Sequence, residues 1–188
     1  MSKAVMLSIR PKWCEKIASG KKTVEVRKTK PKLKPPFKCY IYCTKDKNNH
    51  FWTGKRYSYA DDHSHNAFDK IGSGKIIGEF ICDQIYELAP LNHAPDDVEK
   101  QACLTREEIV NYLKGTGYGW HISDLKIYDM PKNLTEFHTQ EKCKSCSKSG
   151  YESTACIYDE NCMVPVAITK APQSWCIGSE IRQRAAFV

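Results

Sequence analysis

The strongest constraint on the fold of this chain is a change of hydrophobic period at Gly20. Four apolar residues before it have the spacing of one helical stripe: Trp13, Cys14, Ile17 and Ala18. Pro11 suits the first turn of that helix. Residues 23–27 instead alternate polar and apolar side chains, as a strand does. Because glycine readily adopts the left-handed conformation that ends a helix, the segment predicts a helix, a tight turn and a strand.

The strand after the turn has two chemically different faces. Val24 and Val26 form the face that we expect to be buried. Glu25 and Arg27 lie on the other face, toward a cleft or solvent, and Lys22 can lean toward Glu25. The structural alternative is an ordinary same-face ion pair between Glu25 and Arg27. The candidate ligand-binding residues on this segment are Arg10, Gly20, Lys21, Lys22, Glu25 and Arg27.

The positive charge is concentrated in the first part of the chain. Residues 1–38 hold twelve Lys and Arg against Glu15 and Glu25, a net charge of +10, whereas the whole chain carries +7. The remaining residues therefore sum to −3. Such asymmetry favours an anionic partner, most often nucleic acid, because phosphate contacts release counterions. The alternative is a solvated charged edge, above all in residues 28–38.

Length and composition predict one domain over residues 1–188. The 188 residues are 41% apolar, which is sufficient for a core. No apolar run is long enough to span a membrane, and residues 4–9 are too few for the apolar part of a signal peptide. We therefore expect a cytoplasmic protein without a membrane partner.

The other periodic segments predict an α+β fold. A first strand is expected over residues 3–9. Thr105 and Glu108 form a capping box that begins a helix through Leu113. Residues 134–137 are expected to form a strand or a turn. Residues 178–188 show no recognisable sequence pattern. Short strands with helices in the connections indicate a small, mixed, partly open β-barrel with two or more flanking helices. The later predicted strands are residues 37–43, 75–82, 120–128 and 163–169, the last closing the sheet.

A long polar loop is predicted over residues 44–74. It mixes cations with aromatic residues, a combination that suits stacking on unpaired bases, although half of these aromatics can simply anchor the loop. The residues in question are Lys45, Lys47, Phe51, Trp52, Lys55, Arg56, Tyr57 and Tyr59. Asp61, His63 and His65 offer metal-ligand chemistry, but exposure to solvent is the favoured interpretation.

The ten cysteines fall into two groups. Six are dispersed among apolar residues and are expected to be core side chains: Cys14, Cys39, Cys43, Cys82, Cys103 and Cys176. The other four lie in a polar segment, residues 138–163, that reads as an insertion: Cys143, Cys146, Cys156 and Cys162. Four thiolates can close a tetrahedral site, so we expect a structural zinc ion, with a disulfide or free thiols as the alternative.

The string Gly20-x-Lys22-x-x-Glu25-x-Arg27, with the segments Gly78-Glu79-Phe80 and Tyr118-Gly119-Trp120-His121-Ile122, resembles the ASCH domain family of the PUA-like superfamily. The chain is similar to the small stand-alone ASCH proteins of bacteria and phages. The resemblance covers residues 3–129 and 164–175. It implies a barrel of about six strands with a cleft beside the motif, and an association with RNA.

The resemblance also implies an enzymatic alternative. Some family members remove the acetyl group from acetylated cytidine with a lysine, a threonine and a glutamate. The lysine falls on Lys22, whereas Glu25 stands where those enzymes have threonine, and Glu99 is the nearest candidate for the third residue. Glu25 as general base, with Lys22 or Arg27 stabilising an oxyanion, would still permit hydrolysis.

We therefore predict a protein that binds RNA or a modified nucleoside in a cleft containing Lys22, Glu25 and Arg27. A nucleoside amidohydrolase is the second hypothesis, and an adaptor that uses the cysteine segment is a third. Trp120 and His121 are further candidate ligand contacts. Trp120 is more typical of a core than of a stacking platform, and His121 alternates to the opposite face, from which it can reach the cleft.

Overall fold

The computed structural model describes residues 4–45, 72–88, 94–142 and 163–180. Within these ranges the chain forms ten strands, three α-helices and a short 3-10 helix, Leu134–Glu136. In chain order the strands and α-helices are β1 (Ala4–Ile9), α1 (Pro11–Ala18), β2 (Val24–Arg27), β3 (Phe37–Cys43), β4 (Ile76–Cys82), β5 (Ile85–Glu87), α2 (Val98–Ala102), α3 (Arg106–Leu113), β6 (Tyr118–His121), β7 (Ser123–Lys132), β8 (Phe137–Lys142), β9 (Met163–Ala167) and β10 (Trp175–Glu180).

The strands form two sheets. The large sheet has the order β7-β4-β3-β1-β10-β8-β9, and the small sheet has the order β2-β6-β5. β1 lies at the centre of the large sheet, parallel to β3 and antiparallel to β10. All six residues of β1 are buried, as expected for a strand covered on both faces. Neither sheet closes on itself within the described residues, so the predicted α+β class and its partly open character are confirmed.

The small sheet is packed between the large sheet and two helices. Val24 and Val26 pack with apolar residues of α2 and α3, such as Val98 and Ile109. Trp120, on the other face of the small sheet, belongs to the core cluster of β1, β3 and α1. A third cluster covers the far side of the large sheet. The polar face of β2 is therefore directed at the large sheet.

The helix, turn and strand around Gly20 agree with the sequence prediction. Pro11 occupies the first turn of α1, and Cys14 and Ile17 are buried beneath it. Gly20 has a φ of +72°, a left-handed conformation in which a side chain would be strained. The capping box at Thr105 is also confirmed, because its hydroxyl accepts from the backbone N–H of Glu108.

Other predicted elements are wrong in extent. The single strand expected over residues 120–128 is two strands, and β6 and β7 belong to different sheets. β9 does not close the sheet, because it lies at an edge and pairs with β8. Residues 178–180, expected in a tail without a recognisable pattern, lie in β10. There Gly178 pairs with β1, and Ser179 and Glu180 pair with β8. α2, β5 and most of β8 were not predicted, since these short segments have weak periodicity.

Several predictions fall outside the described residues. They include the aromatic residues of the long loop, the Asp61 to His65 group, and all four cysteines of the expected zinc site. Residues 138–142 of the predicted cysteine segment lie in β8. No helix in the described part of the chain is long and apolar enough to cross a membrane.

Candidate functional site

Three buried charges form the centre of the candidate site. Glu25 Oε1 lies 3.0 Å from Arg27 Nη2, and Glu25 Oε2 lies 3.4 Å from Lys22 Nζ. The exposed fraction is 2% for Lys22 and 6% for each of the other two residues. The polar row was expected to face a cleft or solvent; it does not face solvent, because the large sheet covers it. The ion pair between Glu25 and Arg27, the structural alternative, is present in the folded chain.

The Lys22 ammonium is held by the end of α2. Lys22 Nζ donates to the carbonyl oxygen of Ala102 at 2.8 Å, and it lies 5.1 Å from the centre of the Trp13 ring. A cation is favoured at this end of a helix, where carbonyl groups have no helical partner. The neighbouring backbone is fixed too, since the Thr23 N–H donates to Gln101 O at 2.9 Å. Lys22 is thus a positioned charge rather than a mobile surface lysine.

Arg27 connects the two sheets. Its Nη2 donates to the carbonyl oxygen of Ser8 on β1 at 2.8 Å. Its Nη1 donates to Ser174, with distances of 3.4 Å to the carbonyl oxygen and 3.3 Å to the hydroxyl. Sequence reasoning missed both serines. Ser8 carried a weak signal, because it is the one polar residue in an otherwise apolar strand.

Two buried donors beside Glu25 have no acceptor in the described part of the chain, Trp120 Nε1 and Arg27 Nε. Trp120 is directly opposite Glu25 in the β2–β6 ladder and is fully buried. This position confirms the prediction that Trp120 is a core residue. An unsatisfied buried donor costs about 1–3 kcal/mol, so two of them in one place are unusual in a native protein.

Two further lysines approach the Trp13 ring beside Lys22. Lys12 Nζ and Lys16 Nζ lie 4.4 and 5.0 Å from the centre of the half-buried Trp13 ring, so with Lys22 three ammonium groups approach one indole. Arg10 and Lys21 are also exposed. The exposed or half-buried cations of residues 10–34, called the basic segment below, are Arg10, Lys12, Lys16, Lys21, Lys28, Lys30, Lys32 and Lys34.

The basic segment is largely free of neutralising carboxylates. Lys30 Nζ lies 3.3 Å from Glu87 Oε1, and both side chains are about half exposed. For the other cations of the segment, no carboxylate oxygen lies within 4.0 Å in the described ranges. The pKa of Glu108 is lowered by hydrogen bonds from Thr105 and, less strongly, by the charges of Lys12 and Lys16, so part of the positive potential is cancelled there. The remaining positive potential attracts anions.

His121 does not join the three buried charges. It pairs with Val24 across the ladder, so it lies on the face of the small sheet away from Glu25. Its Nδ1 lies 2.6 Å from Asp83 Oδ1. Burial opposes ionisation of Asp83, but the hydrogen bond and charge of His121 outweigh it and lower the pKa of the carboxyl.

Glu99, the candidate for the third residue of a hydrolase, forms an ion pair with Arg106 instead of with the motif. Its carboxylate accepts from Arg106 Nε at 2.7 Å on a half-exposed surface. Among the described residues it makes no bond to Lys22. The structure therefore does not bring Glu99 together with the motif.

Four of the six cysteines predicted to be core residues are buried, whereas Cys103 and Cys176 are only partly buried. The four completely buried residues are Cys14, Cys39, Cys43 and Cys82. Burial raises the pKa of Cys82 to about 12 and the pKa of Cys14 well above the ordinary thiol value. No cluster of three potential metal ligands occurs in the part of the chain that the structure describes.

Comparison with known proteins gives one family and a small group of structures. The model of the ASCH domain family matches residues 7–162. The crystal structure of ASCH from Zymomonas mobilis is similar, with 20% sequence identity, a TM-score of 0.48, and coverage of 70% of this chain and 73% of that chain. A point mutant of the same Zymomonas mobilis protein has 19% identity, a TM-score of 0.48, and coverage of 70% and 76%. No functionally curated protein matches the chain significantly.

Proposed function

The chain belongs to the ASCH domain family, which has a PUA-like fold, and from this premise we propose that it binds RNA or a modified nucleoside beside β2. The observation that carries the proposal is the basic segment, whose cations around Trp13 have almost no carboxylate partners in the described residues. Flexible lysines beside an aromatic ring are suited to phosphates and unpaired bases. The buried carboxylate of this segment is neutralised, because Glu25 lies between Lys22 and Arg27.

Binding is favoured over catalysis because Glu25 is already engaged. Each of its carboxylate oxygens contacts a cation, so the group is poorly placed to take a proton from water. The residue is also a glutamate where the related amidohydrolases have threonine.

Titration of a labelled single-stranded RNA at several salt concentrations tests the proposal. Each phosphate contact removed should lower the salt slope by about 0.7. We expect the variant K12A/K21A to lose about 1.4 from the slope. The matched control K100A/K170A removes the same charge from exposed sites outside the basic segment and should change the slope little. Absence of binding, or binding that salt does not weaken, rejects the proposal.

One observation favours the amidohydrolase as a second candidate. Lys22, at the position of the catalytic lysine, is buried with its Nζ fixed between Ala102 O and Glu25 Oε2. This candidate requires that the protein release acetate from acetylated cytidine and that K22A abolish the release. K12A is the matched control, since it removes a nearby exposed lysine. A nucleoside panel without product rejects this candidate.

The proposal includes a structural zinc ion bound by Cys143, Cys146, Cys156 and Cys162. Its support is chemical, because four thiolates satisfy the tetrahedral coordination of zinc and leave no open position for catalysis. β8 and β9 pair as far as Lys142 and Met163, so the ends of the cysteine segment meet at adjacent strands. Metal analysis before and after chelation tests the site. One equivalent of zinc, lost in C143S/C146S, is expected, and a metal-free wild-type protein with free thiols contradicts it.

A further inference from the structure

Two lysines in the segment that follows β2 lie over tyrosine rings. Lys28 Nζ is 5.3 Å from the centre of the Tyr112 ring on α3, and Lys30 Nζ is 4.7 Å from the centre of the Tyr118 ring on β6. Lys30 also pairs with Glu87 at 3.3 Å. For Lys28, no carboxylate oxygen lies within 4.0 Å in the part of the chain that the structure describes. The Lys28–Tyr112 pair therefore combines an aromatic ring with a cation that is available to an anion.

The Tyr112 side chain is open to solvent. It is 45% exposed even though Lys28 lies over its ring, whereas Ile109 and Leu113 of the same helix are buried against β2. The tyrosine is therefore not needed to fill the core between α3 and the small sheet. An exposed aromatic ring beside a cation suits an unpaired base and its phosphate, because the base stacks on the ring and the cation contacts the phosphate.

Glu108 connects this tyrosine to the basic residues of α1. Glu108 and Tyr112 are one turn apart on α3, so they lie on the same side of the helix. Hydrogen bonds of the capping box lower the pKa of Glu108 most, and the charges of Lys12 and Lys16 lower it further, so these two lysines lie near this side of α3. A surface, called the α1–α3 surface below, therefore runs from the two lysines of α1 across Glu108 and Tyr112 to Lys28.

Resting on the proposed function, we propose that single-stranded RNA crosses the α1–α3 surface and that one unpaired base stacks on the Tyr112 ring. The cations at both ends of the surface and the exposed ring between them fit a polyanion that carries aromatic bases. Lys28 contacts the phosphate beside the stacked base, and the lysines of α1 contact a phosphate on the other side. Because every base has a flat aromatic face, stacking adds affinity without selecting a sequence. Glu108 lies between the phosphate contacts, so its negative charge weakens binding.

The experiment compares a labelled uridine oligonucleotide with an abasic oligonucleotide of the same length and charge, each titrated at low salt. The wild-type protein should bind the uridine oligomer more tightly. Y112A should weaken binding of the uridine oligomer about tenfold, the size of one stacking contact, and leave binding of the abasic oligomer unchanged. Y112F retains the ring and should bind both oligomers as the wild-type protein does. V110A is the matched control, because Val110 is 54% exposed on the same helix, and it should change neither affinity.

A second variant, E108Q, should strengthen binding, which damage to the fold would not do. Glutamine at this position retains the capping box and removes the negative charge, so both oligomers should bind about twofold more tightly. E136Q is the matched control, since Glu136 also belongs to a capping box but lies outside the basic segment and α3, and it should change neither affinity.

The possible results separate this inference from the proposed function. Equal affinity of the wild-type protein for the two oligomers, or an equal effect of Y112A on both, overturns the inference. Unchanged affinity in E108Q also overturns it. In each of these cases, salt-dependent binding by the wild-type protein leaves the proposed function intact. Failure to bind either oligomer at low salt rejects both.

Discussion

Replacement of Glu25 by Gln tests whether the three charges form a buried network. The change keeps the size of the side chain and a hydrogen-bond acceptor, but it leaves Lys22 and Arg27 buried without a counterion. At an effective dielectric constant of about 20, a carboxylate 3.0 to 3.4 Å from a cation gains about 5 kcal/mol per pair before desolvation is counted. Removing one partner of a buried pair costs about 3–5 kcal/mol of the free energy of unfolding.

A loss of this size is a large part of the stability of a domain, which is typically about 5–15 kcal/mol. Urea unfolding monitored by circular dichroism measures it. We expect the midpoint of E25Q to fall by about 1.5–2.5 M, taking a slope of about 2 kcal/mol per molar. The matched control is E87Q, because the Lys30–Glu87 pair has a similar distance of 3.3 Å but is 44% and 58% exposed. Its cost should stay below about 1 kcal/mol.

The double variant K22M/E25Q sharpens the test. It removes one of the two uncompensated cations and replaces it with an apolar side chain of similar length, so it should be more stable than E25Q alone. An E25Q midpoint equal to that of E87Q, with no recovery in the double variant, would show that the three charges do not form a buried network.

Three further predictions concern the scaffold. G119A should lose about 1–3 kcal/mol of stability in urea unfolding, since the new methyl group would lie 2.9 Å from Val24 Cγ1; unchanged stability would contradict the packing of the small sheet. Burial favours the neutral form of Glu79, but hydrogen bonds from Tyr128 and Lys38 outweigh it and lower its pKa. The carboxylate therefore stabilises the fold above its unfolded pKa of about 4.3, and this contribution is lost as the pH falls through the lower folded pKa. Because E79Q lacks this carboxylate, its urea midpoint should fall less than that of the wild-type protein as the pH is lowered through this range. An equal fall in the two proteins would contradict the prediction. The Cys82 thiol, with a pKa of about 12, should react with a thiol reagent at neutral pH only after unfolding; rapid labelling of the native protein would refute its burial.

Local patterns in the sequence were sufficient to predict the helix, turn and strand that carry Lys22, Glu25 and Arg27. The spacing of the apolar residues in α1, the left-handed Gly20 and the alternation of Val24 and Val26 all depend on neighbours within a few residues. Such short-range preferences act whatever the rest of the chain does. The capping box of α3 was identified for the same reason.

Elements defined by distant pairing were not predictable in this way. β10 is a strand because it pairs with β1, from which it is separated by most of the chain. Its sequence contains a glycine and has no clear alternation, so its propensity alone is weak. The break between β6 and β7 likewise reflects a change of sheet at Ile122 rather than a change of period.

Local sequence order places Lys22, Glu25 and Arg27 on one side of a turn and strand within a basic part of the chain. The burial of this side depends on how the two sheets pack. A two-residue period separates the faces of a strand but does not say what covers either face. Ser8, Ala102 and Ser174 come from distant segments to bind the charges, and the large sheet excludes water from them. The same covering leaves Trp120 Nε1 and Arg27 Nε without an acceptor among the described residues, which no local pattern could indicate.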